Sequence, residues 1–152
     1  MKNLCLMVLS ILALFACKKE ETKKSVLIEE LAKSEWRKTS ILVSADSIAP
    51  DTIPNIIIAS EPCKVDNIWK FDANNNTFTL DEGASKCGVT DPQIKDQGAI
   101  TDLNNGSQLK VAGTGTNEIW NIESLAANSF RVSYFGRVAS QSRKFRVTFT
   151  KI

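Results

Sequence analysis

From Asn67 onward the large apolar side chains of this chain return at every second residue. Trp69 and Phe71 share one side of Asn67–Asp72, and Phe78 and Leu80 share one side of Thr77–Asp81. Leu109 and Val111 do so in Gln108–Ala112, and Trp120 and Ile122 in Ile119–Leu125. Phe130, Val132 and Tyr134 align next, then Phe145, Val147 and Phe149. Successive strand side chains point to opposite faces, so this period buries one face of a sheet and wets the other. A helix would need apolar residues three and four apart, and these segments do not supply them.

The punctuation agrees. Asn74-Asn75-Asn76, Asn104-Asn105-Gly106, Gly113-Thr114-Gly115-Thr116 and Ala127-Asn128 are turn sequences suited to left-handed backbone. Gly136–Ser142 reads as a longer connection, and Ala99–Leu103 as a further strand. Trp36 opens a first strand, Glu35–Val43. Before it, Ser25–Lys33 reads as a short helix, with Ser25 as N-cap and Leu27, Ile28 and Leu31 on one side. Ala45–Pro62 is irregular because Pro50, Pro54 and Pro62 exclude a long element. Its isoleucines, Ile53 and Ile56–Ile58, are expected to pack over one end of the core or to cover a cavity mouth.

The fold class is therefore all-β, with about eight strands. Sheets of that size avoid exposed edges by closing into a barrel or packing as a sandwich. Sequential strands joined by short turns favour an antiparallel up-and-down barrel over residues 25–152. An eight-stranded barrel encloses space for side chains or for one small ligand.

Several segments resemble one family when read in order. They are Leu31–Trp36, Pro62–Asn67 with its Cys63-x-x-Asp66, Phe71–Asn74, Cys87, Trp120–Leu125 and Phe145–Ile152. Together they look like the lipocalin-like domains of small lipoproteins of Bacteroidetes-type bacteria. There a Trp opens the first strand, a Cys-x-x-Asp segment precedes the second, and another Cys follows the hairpin. The glycine that lipocalins place two residues before that Trp is Ser34 here. The resemblance implies a lipocalin-like barrel that holds a small apolar ligand.

The leader resembles that of a lipoprotein. Met1–Ala16 has a positive start at Lys2, an apolar core from Leu4 to Phe15, and a small residue before the cut. The core is shorter than the roughly 20 residues that span a bilayer. Leu14-Phe15-Ala16-Cys17 resembles the lipobox of bacterial lipoproteins. The resemblance implies that Cys17 carries a diacylglycerol and becomes the first mature residue, with palmitate or similar acyl chains. Residues 17–24 are then a lipidated Cys and a charged tether. Lys18-Lys19-Glu20-Glu21 resembles the signal that sends such lipoproteins to the cell surface. The expected address is the bacterial envelope, on the periplasmic or surface face of the outer membrane. One acyl chain holds weakly, but two or three hold a protein on a membrane durably.

Cys5 belongs to the leader and Cys17 to the lipid, so Cys63 and Cys87 remain. An even pair in an exported chain is expected to form a disulfide, the alternative being free or metal-bound thiols. The chain has no His and no Cys-x-x-Cys, which argues against a zinc site. The lack of His also removes Ser-His and Cys-His nucleophile pairs. The adjacent Asp81 and Glu82, and Asp66, Asp72 and Asp91, have no partner at a catalytic spacing. No cofactor is expected, and no catalytic residue.

The formal net charge is +2, and removing Lys2 with the leader lowers it by one. Such a balance gives no reason to expect nucleic acid as a partner. The chain is expected to be a monomer. Between Arg131 and the end lie six basic residues and no acid: Arg131, Arg137, Arg143, Lys144, Arg146 and Lys151. Lys144, Arg146 and Arg131 are expected to share an outer face.

Two functions follow as expectations. The first is a membrane-anchored, non-enzymatic carrier or sensor, with Trp36, Trp69, Phe71, Phe78, Trp120, Tyr134 and Phe149 lining the interior around a small apolar ligand. The second is an envelope interaction protein whose barrel is filled by those rings, meeting partners or an anionic glycan through its loops and basic face. Cavity volume separates them, because ligand sites occupy about 300–1,000 Å³.

Overall fold

The computed structural model describes residues 25–44, 62–138 and 140–152. The leader, Cys17, the tether and the isoleucine-rich segment 45–61 lie outside the described residues. The order is α1 (Val26–Ala32), β1 (Trp36–Val43), a single 3-10 turn (Pro62–Lys64), β2 (Ile68–Asp72), β3 (Thr77–Asp81), β4 (Ile94–Leu103), β5 (Gln108–Gly113), β6 (Asn117–Ala126), β7 (Ser129–Val138) and β8 (Gln141–Lys151). The strands pair in sequence order, all antiparallel, and β8 returns to β1 to close the barrel. Among the described residues this is the expected eight-stranded up-and-down barrel with one short helix.

The turns follow their chemistry. Asn76, Asn104, Asn105 and Gly106 all take positive φ, which Asn tolerates better than most residues and Gly adopts freely. Two expectations change. β4 begins at Ile94, five residues before the expected Ala99. The expected long connection at Gly136–Ser142 is a tight turn, with Val138 opposite Gln141. Exposed polar residues in both stretches hide the strand period, and ladder bonds to β3, β5 and β7 hold the backbone instead.

Helix α1 lies across one end of the barrel. Ser25 caps it by accepting from the Ile28 amide at 3.2 Å, and its hydroxyl donates to Asp102 on β4 at 2.5 Å. Leu27, Ile28 and Leu31 are buried against the strands. Leu31 at the helix end leaves its carbonyl for the Trp36 indole N–H, 2.7 Å away. That bond satisfies the one polar atom of a ring that is otherwise wholly apolar.

A column of rings fills the middle. Phe130 and Phe149 stack with centroids 4.3 Å apart, and Trp36 meets Phe130 edge-on at 4.9 Å. Trp69 touches Trp120 at 5.2 Å and Phe78 at 5.3 Å, and Trp120 touches Phe149 at 5.4 Å. The pair Gly98 and Gly113 lets β4 and β5 approach around this column. A Cβ on Gly98 would lie 2.0 Å from the Ala112 carbonyl oxygen, and one on Gly113 would lie 2.7 Å from the Phe78 ring.

Three register shifts punctuate the barrel. The one in β1, between Lys38 and Ser40, matters most for the site. It adds a residue against β8, so the inward positions change from Trp36 and Lys38 to Ile41 and Val43. Among the described residues β1 pairs with β2 only at Trp36↔Trp69 and Arg37↔Ile68.

Candidate functional site

All seven aromatic residues expected inside the barrel point inward, and most of them are in mutual contact. Phe130 and Phe145, which stands on Tyr134 at 5.2 Å, belong to the same assembly. A vacant chamber among these rings would leave their faces accessible to a probe the size of water. Trp36 and Trp69 are 2% exposed, Phe78 and Trp120 1%, and Phe149 0%. The rings are one another's contacts, so they fill the core themselves. The expectation of an apolar ligand held among them therefore gives way to a filled middle.

At the other end from α1, a hollow of about 400 Å³ is lined by Lys38, Lys64, Asn67, Trp69, Leu80, Lys95, Asp96, Gly115 and Thr116. Its rim is secured by the bond between Cys63 and Cys87, whose Cα atoms are 5.0 Å apart. As expected, the disulfide ties the turn before β2 to the loop after β3. Glu82 in that loop is 1% exposed, and its Oε1 accepts from the Cys87 amide at 3.2 Å and lies 3.4 Å from Lys95 Nζ. Lys95 also holds Asp91 at 2.9 Å.

Lys38 is the unusual lining group. The β1 register carries it to the barrel's inner face opposite Phe149, and its Nζ lies 4.8 Å from the Trp69 ring centre and 5.8 Å from that of Phe149. A cation over an aromatic face is attracted by the ring quadrupole. Among the described residues the ammonium has no hydrogen-bond acceptor and no ion pair within 4 Å. Burial lowers its pKa to about 8; Glu118 opposes the shift and Lys64 adds to it.

Glu118 stands inward on β6. Burial raises its pKa, against the Trp120 indole N–H that donates to Oε2 at 2.6 Å and against the charge of Lys38. Tyr134 is pushed above its ordinary range by burial and then by Glu118.

Asp96 is the second unusual group. It is 5% exposed, and its Oδ1 accepts from the Gln97 amide, the Thr114 amide and the Thr114 hydroxyl at 2.8–2.9 Å, with the Gly115 amide at 3.3 Å. Burial works against the charge, but the Thr116 and Thr114 side chains and the Gly115 and Thr114 amides outweigh it, so the pKa is lowered. Oδ2 is buried and has no donor in hydrogen-bond geometry, although the Thr116 hydroxyl lies close enough to favour the charged form, and Asn67 Oδ1 on the same hollow also lacks a donor.

Other hollows of comparable size surround α1, about 450 Å³ beside Ser25, Leu27 and Gly106 and about 510 Å³ beside Ile28 and Asn74–Asn76. Their one lining carboxylate is already engaged: Asp102 takes the Ser25 hydroxyl and, at 2.6 Å, the Gly106 amide. Only the disulfide-end hollow, of those described, combines buried polar atoms lacking bonds with a cation lacking an acceptor.

The basic outer face is partly compensated. Glu123 from β6 reaches Arg146 at 2.7 Å and Lys144 at 3.9 Å, and Arg131 Nε donates to the Thr148 hydroxyl at 3.4 Å. Among the described residues no group of three His, Cys, Asp or Glu is placed to hold a metal, and no helix is long and apolar enough to cross a membrane.

Sequence reasoning passed over Lys38, Glu118 and Asp96. Two of them had a signal: Lys38 is two residues from Trp36, and Glu118 two from Trp120, so each shares the inward face of a strand. Asp96 had none, since β4 showed no alternation before Ala99. Compared with models of protein families and with curated proteins, the chain matches none.

Proposed function

We propose that this chain is a non-enzymatic binding module of the bacterial envelope, held on a membrane by lipid on Cys17, with its ligand seat at the disulfide end of a filled barrel. The anchor reading rests on the Met1–Ala16 leader and on Leu14-Phe15-Ala16-Cys17. The seat reading rests on one observation: the rings seal the middle, while the hollow of about 400 Å³ keeps Lys38 without an acceptor and Asp96 Oδ2 without a donor. Groups left in that state are costly in a merely structural region, and they are common where a ligand completes them.

Native mass spectrometry of the full chain, exported and recovered in mild detergent, tests both parts. The expected spectrum shows covalent acyl mass on Cys17 and a small noncovalent mass that leaves on denaturation. An exported chain with unmodified Cys17 overturns the anchor. A chain that carries no small molecule, and takes up none from an envelope extract, overturns the seat and turns the search to macromolecular partners of the outer surface.

A further inference from the structure

Within that reading of the disulfide-end hollow, its charges define the ligand more closely. The ammonium of Lys38 faces the hollow from above the Trp69 ring with no acceptor. Across it lies Asp96, a 5% exposed carboxylate whose Oδ1 is saturated by four donors and whose buried Oδ2 forms no bond. Asn67 Oδ1 lacks a donor in the same wall.

We propose that this hollow seats a small carboxylate that also carries a hydroxyl or ammonium donor, its acid end on Lys38 and its donor on Asp96. Two chemical sources share that description, sugar acids and α-amino acids.

The alternatives fit less well. A neutral sugar would satisfy Asp96 and Asn67 but give the Lys38 ammonium no charged acceptor beyond the field of Glu118, with which it forms no ion pair. A fatty acid would offer its carboxylate to Lys38 but lay its chain against Asn67, Asp96 and Thr116, since the rings below are sealed. A phosphate dianion would meet the like charges of Asp96 and Glu118. A divalent cation would meet Lys38, Lys64 and Lys95. Only a ligand with both an acid and a donor answers both open groups, and 400 Å³ is within the range of small-molecule sites.

The test is saturation-transfer NMR and calorimetry on the full chain in mild detergent. The probes are glucuronate and galacturonate in one arm and a set of α-amino acids in the other, with acetate, glucose and laurate as controls. One arm is expected to bind at least tenfold tighter than both acetate and glucose, which says which source the seat takes. Lys38→Met should weaken that binding at least tenfold, Lys38→Arg should restore part of it, and Asp96→Asn should weaken it severalfold. Thermal unfolding of Lys38→Met at or above the wild-type midpoint shows that the loss is not misfolding.

The inference is overturned if acetate or glucose binds as well as the acids. It is also overturned if Lys38→Met binds normally, or if the bound mass in the native spectrum is apolar. Binding of glucose or laurate alone sinks this ligand class and spares the seat. No binding of any probe, together with no bound mass in the native spectrum, sinks both.

Discussion

The two ends of this barrel are made by the same eight strands and treated in opposite ways. At the α1 end every inward group is apolar or bonded. Leu27, Ile28 and Leu31 sit on the rings below, the Trp36 N–H finds the Leu31 carbonyl, and the Ser25 hydroxyl finds Asp102. At the disulfide end the inward groups are Lys38, Glu118, Asn67 and Asp96, and four buried oxygens in and beside the hollow, on Asp66, Asn67, Glu82 and Asp96, have no hydrogen bond. At the α1 end those buried polar groups are satisfied. The disulfide end leaves buried polar atoms unbonded, which is the pattern expected where function and stability compete.

If that contrast is right, truncation should hurt one end and not the other. Phe130→Ala, between Trp36 and Phe149, is expected to cost about 3–5 kcal/mol in urea unfolding, because the cavity it leaves cannot collapse. A loss under 1 kcal/mol would mean that the helix end is not the packed one.

Replacing both Cys63 and Cys87 by Ser should cost roughly 3 kcal/mol by the loop-entropy argument, for a bridge spanning 24 positions of sequence. Hydrogen exchange should then rise first in the loop after β3 and leave β7 and β8 protected. Uniform loss of protection would show that the rim is not a separate unit.

Lys38→Met should act in the opposite direction and stabilise the protein by about 1–3 kcal/mol at pH 7, allowing for solvent screening of a half-buried group. The sign follows from the proton balance. The folded pKa of about 8 lies below the unfolded 10.5, so between those values the unfolded chain holds more protons and wild-type stability rises with pH. Below about pH 8 the penalty is fully present. The groups facing Lys38 are Glu118 on β6, Lys64 before β2, Trp69 and Phe149. The difference between wild type and variant should therefore shrink from pH 8 to pH 10.5, and a constant difference would count against a buried ammonium at this end.

The smallest effect belongs to the helix cap. Ser25→Ala should cost about 1 kcal/mol, with α1 fraying first in exchange.

The barrel was legible because its signal is repeated. Seven aromatic residues at strand spacing can share an interior in few ways, and turn residues at Asn74–Asn76 and Asn104–Gly106 set where each strand stops. The parts that were not legible are single events. β4 looks like loop before Ala99 because its residues alternate weakly, and pairing with β3 imposes the strand. The bulge in β1 shifts the inward face by one residue with no local mark in Lys38-Thr39-Ser40. The site shares that difficulty: Lys38 and Glu118 could be placed by parity with Trp36 and Trp120, but Asp96 could not.

Periodicity is a property of neighbours in sequence, so it alone determined an all-β chain with aromatic rings inside and one short helix before the first strand. Filling is a property of volume. Whether seven rings surround a space or occupy it depends on distances between strands that no local pattern encodes. Tertiary structure decided that the rings close on one another. It also decided that, among the described residues, β1 pairs with β2 at two positions only, and that Lys38 and Asp96, 58 positions apart in sequence, line one hollow.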